Sequence, residues 1–323
     1  MRLFRLIAVV SGLVLAAGTV AAASAQPVIR ADDGAHVIAE QWIDGRTVDL
    51  TIESPALGTE VNTRLLVPAG WSGRTDWPVF YLLHGCCDSY VSWTRSTDVA
   101  ALTAKSPVIV VMPEAGEVGF YSDWWNHGQR GAPAWERFHL TELRQILERG
   151  YHAGTRRAVA GLSMGGFGTL SYAARHPGMF RFAASYSGVV DTRYHDDTFD
   201  GAQSALELVG SYASDPYALW GDPKKQAAIW AAHNPTDVAP LLRFTPVFVS
   251  CGNGQPGPYE PPGKPADPTE TVLYKENVSF VDRARKAGVH LTTDLYGPGT
   301  HSWPYWQREL HRSYPLIARS LGF

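Results

Sequence analysis

The segment from Gly161 to Gly165 constrains this chain more than any other feature. It reads Gly-Leu-Ser-Met-Gly, a match to G-x-S-x-G, with a strand-like stretch at 157–160 before it and a helical stretch at 167–174 after it. In such a turn, small residues let the backbone approach itself, and the serine hydroxyl stands above the sheet at a helix N-terminus. The pattern predicts that Ser163 is a nucleophile. A glycine-rich turn with a solvated serine is the alternative.

Short apolar or alternating runs separate helical stretches along the chain. The predicted strands are 48–54, 61–67, 79–83, 108–112, 158–161, 182–187, 246–251 and 291–295, and the predicted helices are 135–149, 165–176, 274–287 and 302–321. This alternation predicts an α/β fold, a mostly parallel central sheet with helices on both faces. With the serine turn, it is the α/β-hydrolase fold. The Pro- and Gly-rich segment 252–268 is expected to be a loop, and 191–239 to cover part of the site.

The first 25 residues have the pattern of a secretory leader. Arg2 and Arg5 precede an apolar run from Leu6 to Ala23, and Ala-Ser-Ala at 23–25 fits a cleavage site. We therefore expect a signal peptide at 1–25, a single catalytic domain at 26–323 and an exported protein. A membrane anchor is the alternative, and no later run is long and apolar enough to span a bilayer.

Charge and cysteine content exclude several classes of protein. The net charge is −3 with no basic cluster, so no nucleic-acid partner is expected. Three cysteines are too few for a disulfide scaffold, and their spacing to histidines does not resemble a zinc site. We expect neither a metal nor a cofactor. The adjacent Cys86 and Cys87 form either a vicinal disulfide or two thiols.

A serine nucleophile needs a base and an acid. In this fold the base follows the last strand, and His301 lies between the strand at 291–295 and the final helix. The acid should follow the strand at 246–251, and spacing alone leaves four candidates open: Glu260, Asp267, Glu270 and Glu276.

An oxyanion hole is also required for acyl transfer. One donor should be the backbone N–H of Met164, directly after the nucleophile. The second should come from the loop that begins at His84-Gly85, after the strand at 79–83, and Cys86 N–H is our choice.

Four segments together resemble the esterase D-like family of α/β-hydrolases, and within it the antigen 85 group of mycolyltransferases and diacylglycerol acyltransferases. They read Phe-Tyr-Ser-Asp-Trp at 120–124, Gly-Leu-Ser-Met at 161–164, Cys-Gly-Asn-Gly at 251–254 and Gly-Thr-His-Ser-Trp at 299–303. The resemblance implies a Ser-Glu-His triad. The family glutamate stands seven residues before an Asn-apolar-x-Phe segment, here 277–280, which selects Glu270.

The loop at 84–87 departs from that group. It reads His-Gly-Cys-Cys where the mycolyltransferases have Asp-Gly-Leu-Arg. The aspartate and arginine help to shape the trehalose end of the family's site, so their absence argues against trehalose specificity.

The sequence therefore predicts a secreted serine esterase or acyltransferase that acts on carboxylic esters through an acyl-enzyme on Ser163. The expected substrate is an ester or lipid, with a sugar or glycerol as a possible acceptor. Residues expected to line the substrate site are His84, Tyr121, Trp124 and Trp303. Two alternatives stay open, namely a mycolyl- or diacylglycerol-type O-acyltransferase of the cell envelope and a non-catalytic wall- or matrix-binding protein.

Overall fold

The computed structural model describes residues 28–323, so the predicted leader lies outside the described residues. A nine-stranded sheet forms its centre. Its strands are β1 (His36–Trp42), β2 (Thr47–Ser54), β3 (Thr59–Leu66), β4 (Trp77–Leu83), β5 (Ile109–Pro113), β6 (Ala153–Leu162), β7 (Ala183–Tyr186), β10 (Val247–Cys251) and β11 (Leu291–Leu295). A separate pair consists of β8 (His195–Asp196) and β9 (Phe199–Asp200).

The strand order is β1-β2-β3-β5-β4-β6-β7-β10-β11. The first three strands are antiparallel and β3 pairs antiparallel with β5, whereas the six strands from β5 to β11 in this order are parallel. The mostly parallel sheet confirms the predicted fold class. Parallel strands point the same way. The loops that follow β4, β6, β10 and β11 therefore all lie at one edge of the sheet.

Continuous apolar runs in the central strands have a direct structural cause. In β4, Val79 and Tyr81 belong to the core on one face of the sheet, and Phe80 and Leu82 belong to the core on the other. Successive side chains point to opposite faces, so a strand covered by helices on both sides is apolar throughout. The edge strand β1 is mostly exposed and lacks such a run, and the sequence did not predict it.

Helices pack on both faces of the sheet. They are α1 (Ser92–Ser96), α2 (Val99–Leu102), α3 (Trp135–Arg137), α4 (Arg144–Gly150), α5 (Met164–Arg175), α6 (Gly201–Gly210), α7 (Tyr217–Trp220), α8 (Ala227–His233), α9 (Pro235–Val238), α10 (Pro268–Lys286) and α11 (Trp303–Leu321). A π-helical segment at Phe138–Leu143 joins α3 to α4. Within residues 28–323, no helix is both long and apolar enough to cross a membrane.

Helix α10 begins six residues before the predicted start at Tyr274. Asp267 is its N-cap, with a side chain that accepts hydrogen bonds from the backbone N–H groups of Thr269 and Glu270, and Pro268 occupies the first turn. Caps of this kind and proline at the first helical position are typical helix starts. The sequence analysis assigned 252–268 to a loop because of its prolines. One of them, Pro268, instead begins the helix.

Glu309 on α11 makes the stability of the fold depend on pH. It is fully buried, and burial raises the pKa of its carboxyl to about 7, although the hydrogen bond from Arg308 opposes the shift. A folded-state pKa above the ordinary value of 4.5 contributes stability that is present below about pH 4.5 and lost as the pH rises through about 7. We expect this one group to cost about 2–3 kcal/mol between pH 5 and 8.

Urea unfolding of the wild type and Glu309→Gln at pH 5 and pH 8 tests this prediction. Glutamine cannot ionise, so the loss in free energy of unfolding from pH 5 to pH 8 should be smaller in the variant. Equal losses in the two proteins would contradict it.

Candidate active site

The turn that carries Ser163 has the geometry of a nucleophile elbow. Ser163 lies between β6 and α5 with φ of 53° and ψ of −120°, a strained conformation for a residue with a side chain. A Cβ on Gly161 would come within 2.3 Å of the Gly165 carbonyl oxygen, and one on Gly165 within 2.5 Å of the Leu83 and His84 carbonyl oxygens. Only glycine fits at both positions, which is the physical reason for the G-x-S-x-G pattern.

His301 follows β11 in the turn before α11, as predicted. Its Nδ1–H donates to Oε2 of Glu270 at 2.7 Å, since a carboxylate can only accept. Its backbone N–H donates to Asp267 at 2.9 Å, and the Trp306 ring packs edge-on against the imidazole. Neighbouring groups thus hold the backbone N–H, the ring and Nδ1 of His301. Its Nε2 is left to exchange a proton.

Glu270 is the acid that the structure places against His301. It is fully buried, and its Oε1 accepts hydrogen bonds from the Gly252 backbone N–H and the Ser187 hydroxyl, both at 2.7 Å. The Cys251 thiol lies 3.3 Å from the same oxygen. Donors on one oxygen and an imidazole on the other are the partners that a buried carboxylate needs.

The other three acids have different contacts. Asp267 caps α10 and holds the His301 backbone, Glu260 accepts from the hydroxyls of Thr300 and Tyr305, and Glu276 faces the backbone of Asp191. In this structure only Glu270, among the four, contacts the imidazole.

The loop after β4 lies directly against the elbow. A Cβ on Gly85 would be 2.5 Å from Leu162 and 3.2 Å from the Ser163 Cβ, so glycine permits this approach. Among residues 28–323, the backbone N–H groups of Cys86 and Met164 have no hydrogen-bond acceptor. Two free donors beside a serine are what an oxyanion hole requires.

Ser163 and His301 line one cavity of about 260 Å³. The rest of its lining comes mainly from β9, α6 and α10 and from the residues after β5 and β7. Its apolar members include Phe120, Val189, Phe199, Ala205, Leu208 and Leu273. Among the described residues, the Ser163 hydroxyl makes no hydrogen bond to His301, as is common in sites without substrate.

None of the four residues expected to bind substrate lines this cavity. Tyr121 is fully buried and donates to the His84 carbonyl oxygen, while the His84 ring accepts from the Ala115 N–H. Trp124 borders a different cleft, and Trp303 packs between Trp93 and Trp306. The sequence does not reveal which way each ring turns, so it did not show that these side chains lie outside the cavity. Their role in binding substrate stays a prediction.

Phe120, the neighbour of Tyr121, is the aromatic residue of that segment that does line the cavity. The predicted covering segment 191–239 supplies α6, with Ala205 and Leu208 facing the cavity. The sequence pointed to these segments, and the structure shows which of their side chains line the cavity.

Cys86 and Cys87 are joined by a disulfide, and Cys251 is a buried free thiol. We predict that the mature protein, denatured without reductant, titrates one thiol with Ellman's reagent, and three after reduction. Three thiols before reduction would contradict the disulfide. A Cys251→Ala variant controls the assignment, because its unreduced form should titrate none.

Comparison with known proteins agrees with this geometry. Residues 54–317 match the family model described as "Putative esterase". The chain is 34% identical over 285 residues to "Diacylglycerol acyltransferase/mycolyltransferase Ag85A" of Mycobacterium tuberculosis (strain ATCC 25618 / H37Rv), covering 84% of this chain and 81% of that protein. It is 32% identical over 282 residues to the Ag85B protein of Mycobacterium leprae (strain TN), covering 84% and 83%.

Among solved structures, that of Mycobacterium tuberculosis MPT51 (FbpC1) superposes with a TM-score of 0.69 at 24% identity, covering 84% of this chain and 97% of that one. This likeness supports the fold. With the family match over most of the chain, it leads to one conclusion: the chain belongs to the "Putative esterase" family of α/β-hydrolases and is an enzyme of the ester hydrolase and acyltransferase class.

Proposed function

We propose that this protein is a secreted serine esterase that hydrolyses carboxylic esters through a covalent acyl-enzyme on Ser163. The single observation that carries the proposal is the 2.7 Å hydrogen bond from His301 Nδ1 to Glu270 Oε2, with His301 and Ser163 lining one cavity. A buried carboxylate that orients an imidazole beside an elbow serine is the arrangement of a catalytic triad.

In the first half-reaction, His301 Nε2 takes the Ser163 proton as the serine oxygen attacks the ester carbonyl carbon. The backbone N–H groups of Cys86 and Met164 hold the oxyanion, and Glu270 stabilises the imidazolium. The imidazolium then returns its proton to the leaving alcohol oxygen as the carbon–oxygen bond breaks. In the second half-reaction, water attacks the acyl-enzyme by the same route and releases the acid.

The size of the cavity supports a short or medium acyl chain. Its volume of about 260 Å³ lies below the roughly 300–1,000 Å³ of pockets that enclose drug-sized ligands. Its mainly apolar walls suit an alkyl chain. We therefore place the acyl group in this cavity and the leaving alcohol outside it.

An O-acyltransferase of the mycolyl or diacylglycerol type is the second candidate, supported by the 34% identity to a protein of that name. Every group in the first half-reaction would be the same, and an alcohol would replace water in the second. The loop at 84–87 argues against trehalose as the acceptor, since it reads His-Gly-Cys-Cys and lacks the acid and the arginine of the mycolyltransferase loop.

Product partition separates the two candidates. Purified mature protein is given p-nitrophenyl butyrate with and without trehalose, glycerol or a diacylglycerol, and the acyl products are quantified by mass spectrometry. We expect free butyrate to dominate in each mixture. If an acylated acceptor were the main product, the proposed activity would be acyl transfer and not hydrolysis.

The third candidate, a non-catalytic wall- or matrix-binding protein, predicts no covalent chemistry. We expect a fluorophosphonate probe to label the folded protein at Ser163 and to leave Ser163→Ala unlabelled. Folded wild type that resists labelling would favour the binding protein.

Export predicts that the protein recovered from the culture medium begins at Gln26.

A further inference from the structure

A buried carboxyl group, that of Glu276, lies in the wall of the mainly apolar cavity. The residues that α10 contributes are Thr269, Val272, Leu273 and Glu276, spaced as one face of a helix. Along this face exposure falls, from exposed at Thr269 to 2% at Glu276. The decrease indicates that Glu276 lies deeper in the protein than Thr269, on the inner side of the cavity wall.

The environment of Glu276 favours the protonated form of its carboxyl group. Burial raises its pKa well above the ordinary value of 4.5, and the Asp191 carboxylate adds to the shift. Asp191 is itself buried and accepts from Asn234 and Ser279. A neutral carboxylic acid carries an O–H donor, and an unmatched donor in an apolar cavity costs free energy.

The backbone groups that hydrogen-bond to the Glu276 carboxyl are donors. The Asp191 backbone N–H donates to Oε2 at 3.1 Å, and the Val190 N–H is the other backbone donor that acts on the carboxyl. These N–H groups cannot accept a hydrogen bond from the carboxyl O–H. An oxygen atom on a bound acyl chain would accept it.

We propose that Glu276 forms a polar subsite on the inner side of the acyl cavity, and that the preferred substrates are esters of acids with a hydroxyl group well along the chain. This inference rests on the proposed function, since it assumes that the acyl group occupies the cavity. Glu276 follows Glu270 by six residues, which places it about 9 Å further along the helix axis. The matching oxygen is therefore remote from the ester carbonyl.

The test compares p-nitrophenyl esters of octanoic, 3-hydroxyoctanoic and 7-hydroxyoctanoic acid. We expect wild-type kcat/KM for the 7-hydroxy ester to exceed that for octanoate by about 3- to 10-fold, the range for one hydrogen bond. The 3-hydroxy ester should show no such gain. Equal kcat/KM for octanoate and the 7-hydroxy ester would overturn the proposal.

Two variants separate recognition from structural support. Glu276→Gln keeps an acceptor for the Asp191 N–H and a donor for the substrate, so it should retain the preference. Glu276→Leu lacks both groups. Its kcat/KM for the 7-hydroxyoctanoate ester should therefore be about equal to that for the octanoate ester. Glu207→Leu, the same change at an exposed site on α6, is the matched control and should keep the wild-type ratio. A preference that survives in folded Glu276→Leu would refute the subsite.

A binding measurement distinguishes failure of the subsite from failure of the proposed function. In the Ser163→Ala background, calorimetry should show tighter binding of 7-hydroxyoctanoate than of octanoate. Tighter binding without any Ser163-dependent hydrolysis would uphold the subsite and contradict the esterase. Ser163-dependent hydrolysis of the octanoate ester without tighter binding of the hydroxy acid would uphold the esterase and contradict the subsite.

Discussion

Replacing Ser163 by alanine is expected to lower kcat for a short p-nitrophenyl ester by roughly 10⁴- to 10⁶-fold, the scale of losing a triad serine. The oxygen that would form the acyl-enzyme is gone, while the cavity and the two free N–H donors remain. Some rate above the uncatalysed reaction should therefore survive. The measurement is steady-state hydrolysis followed at 405 nm.

Ser211→Ala provides the matched control. This serine is exposed at the end of α6, where its hydroxyl donates to the Glu207 carbonyl oxygen, and its loss should leave kcat within twofold of wild type. Circular dichroism and melting temperature establish that both variants are folded. A folded Ser163→Ala protein that keeps a tenth or more of the activity would show that another group is the nucleophile.

Glu270→Gln should have the second-largest effect, a fall in kcat of roughly 10³- to 10⁴-fold, as for removal of the charge from the acid of a serine triad. An amide cannot stabilise the imidazolium as a carboxylate does. Its NH₂ group can also donate to His301 Nδ1, which stabilises the tautomer with the proton on Nε2. That tautomer cannot accept the Ser163 proton.

Glu260→Gln is the matched control for this prediction. Glu260 is an acid on the preceding loop that bonds Thr300 and Tyr305, so the same substitution there should lower kcat by less than tenfold. Comparable losses in the two variants would mean that Glu270 has no special relation to His301. If the Glu260 variant alone were impaired, the acid would have to be reassigned.

Local chemistry made part of this site predictable. Gly161 and Gly165 are required by contacts within the turn and with the adjacent strand. Five consecutive residues are therefore enough to predict the elbow. His301 could be found because strand order places the base after the last strand. Both predictions depend on neighbours in the chain or on the order of elements, which sequence patterns record directly.

The choice among acids was not local. Four carboxylates follow β10, and only the packing of α10 against Ser187 and Gly252 shows which one meets the imidazole. The Asp267 cap that begins α10 early also accepts from the backbone N–H groups of both Glu270 and His301. Family resemblance pointed to the same residue, whereas spacing alone did not.

The sequence by itself determined the class of fold, the sharp turn at Ser163 and the position of His301 after the last strand, because those follow from short-range steric limits and from the order of strands and helices. Tertiary structure alone decided which side chains face the cavity. Phe120 and Glu276 line it, whereas Tyr121 is buried and does not. Orientation of this kind depends on contacts between segments that are far apart in the chain, and no local pattern records them.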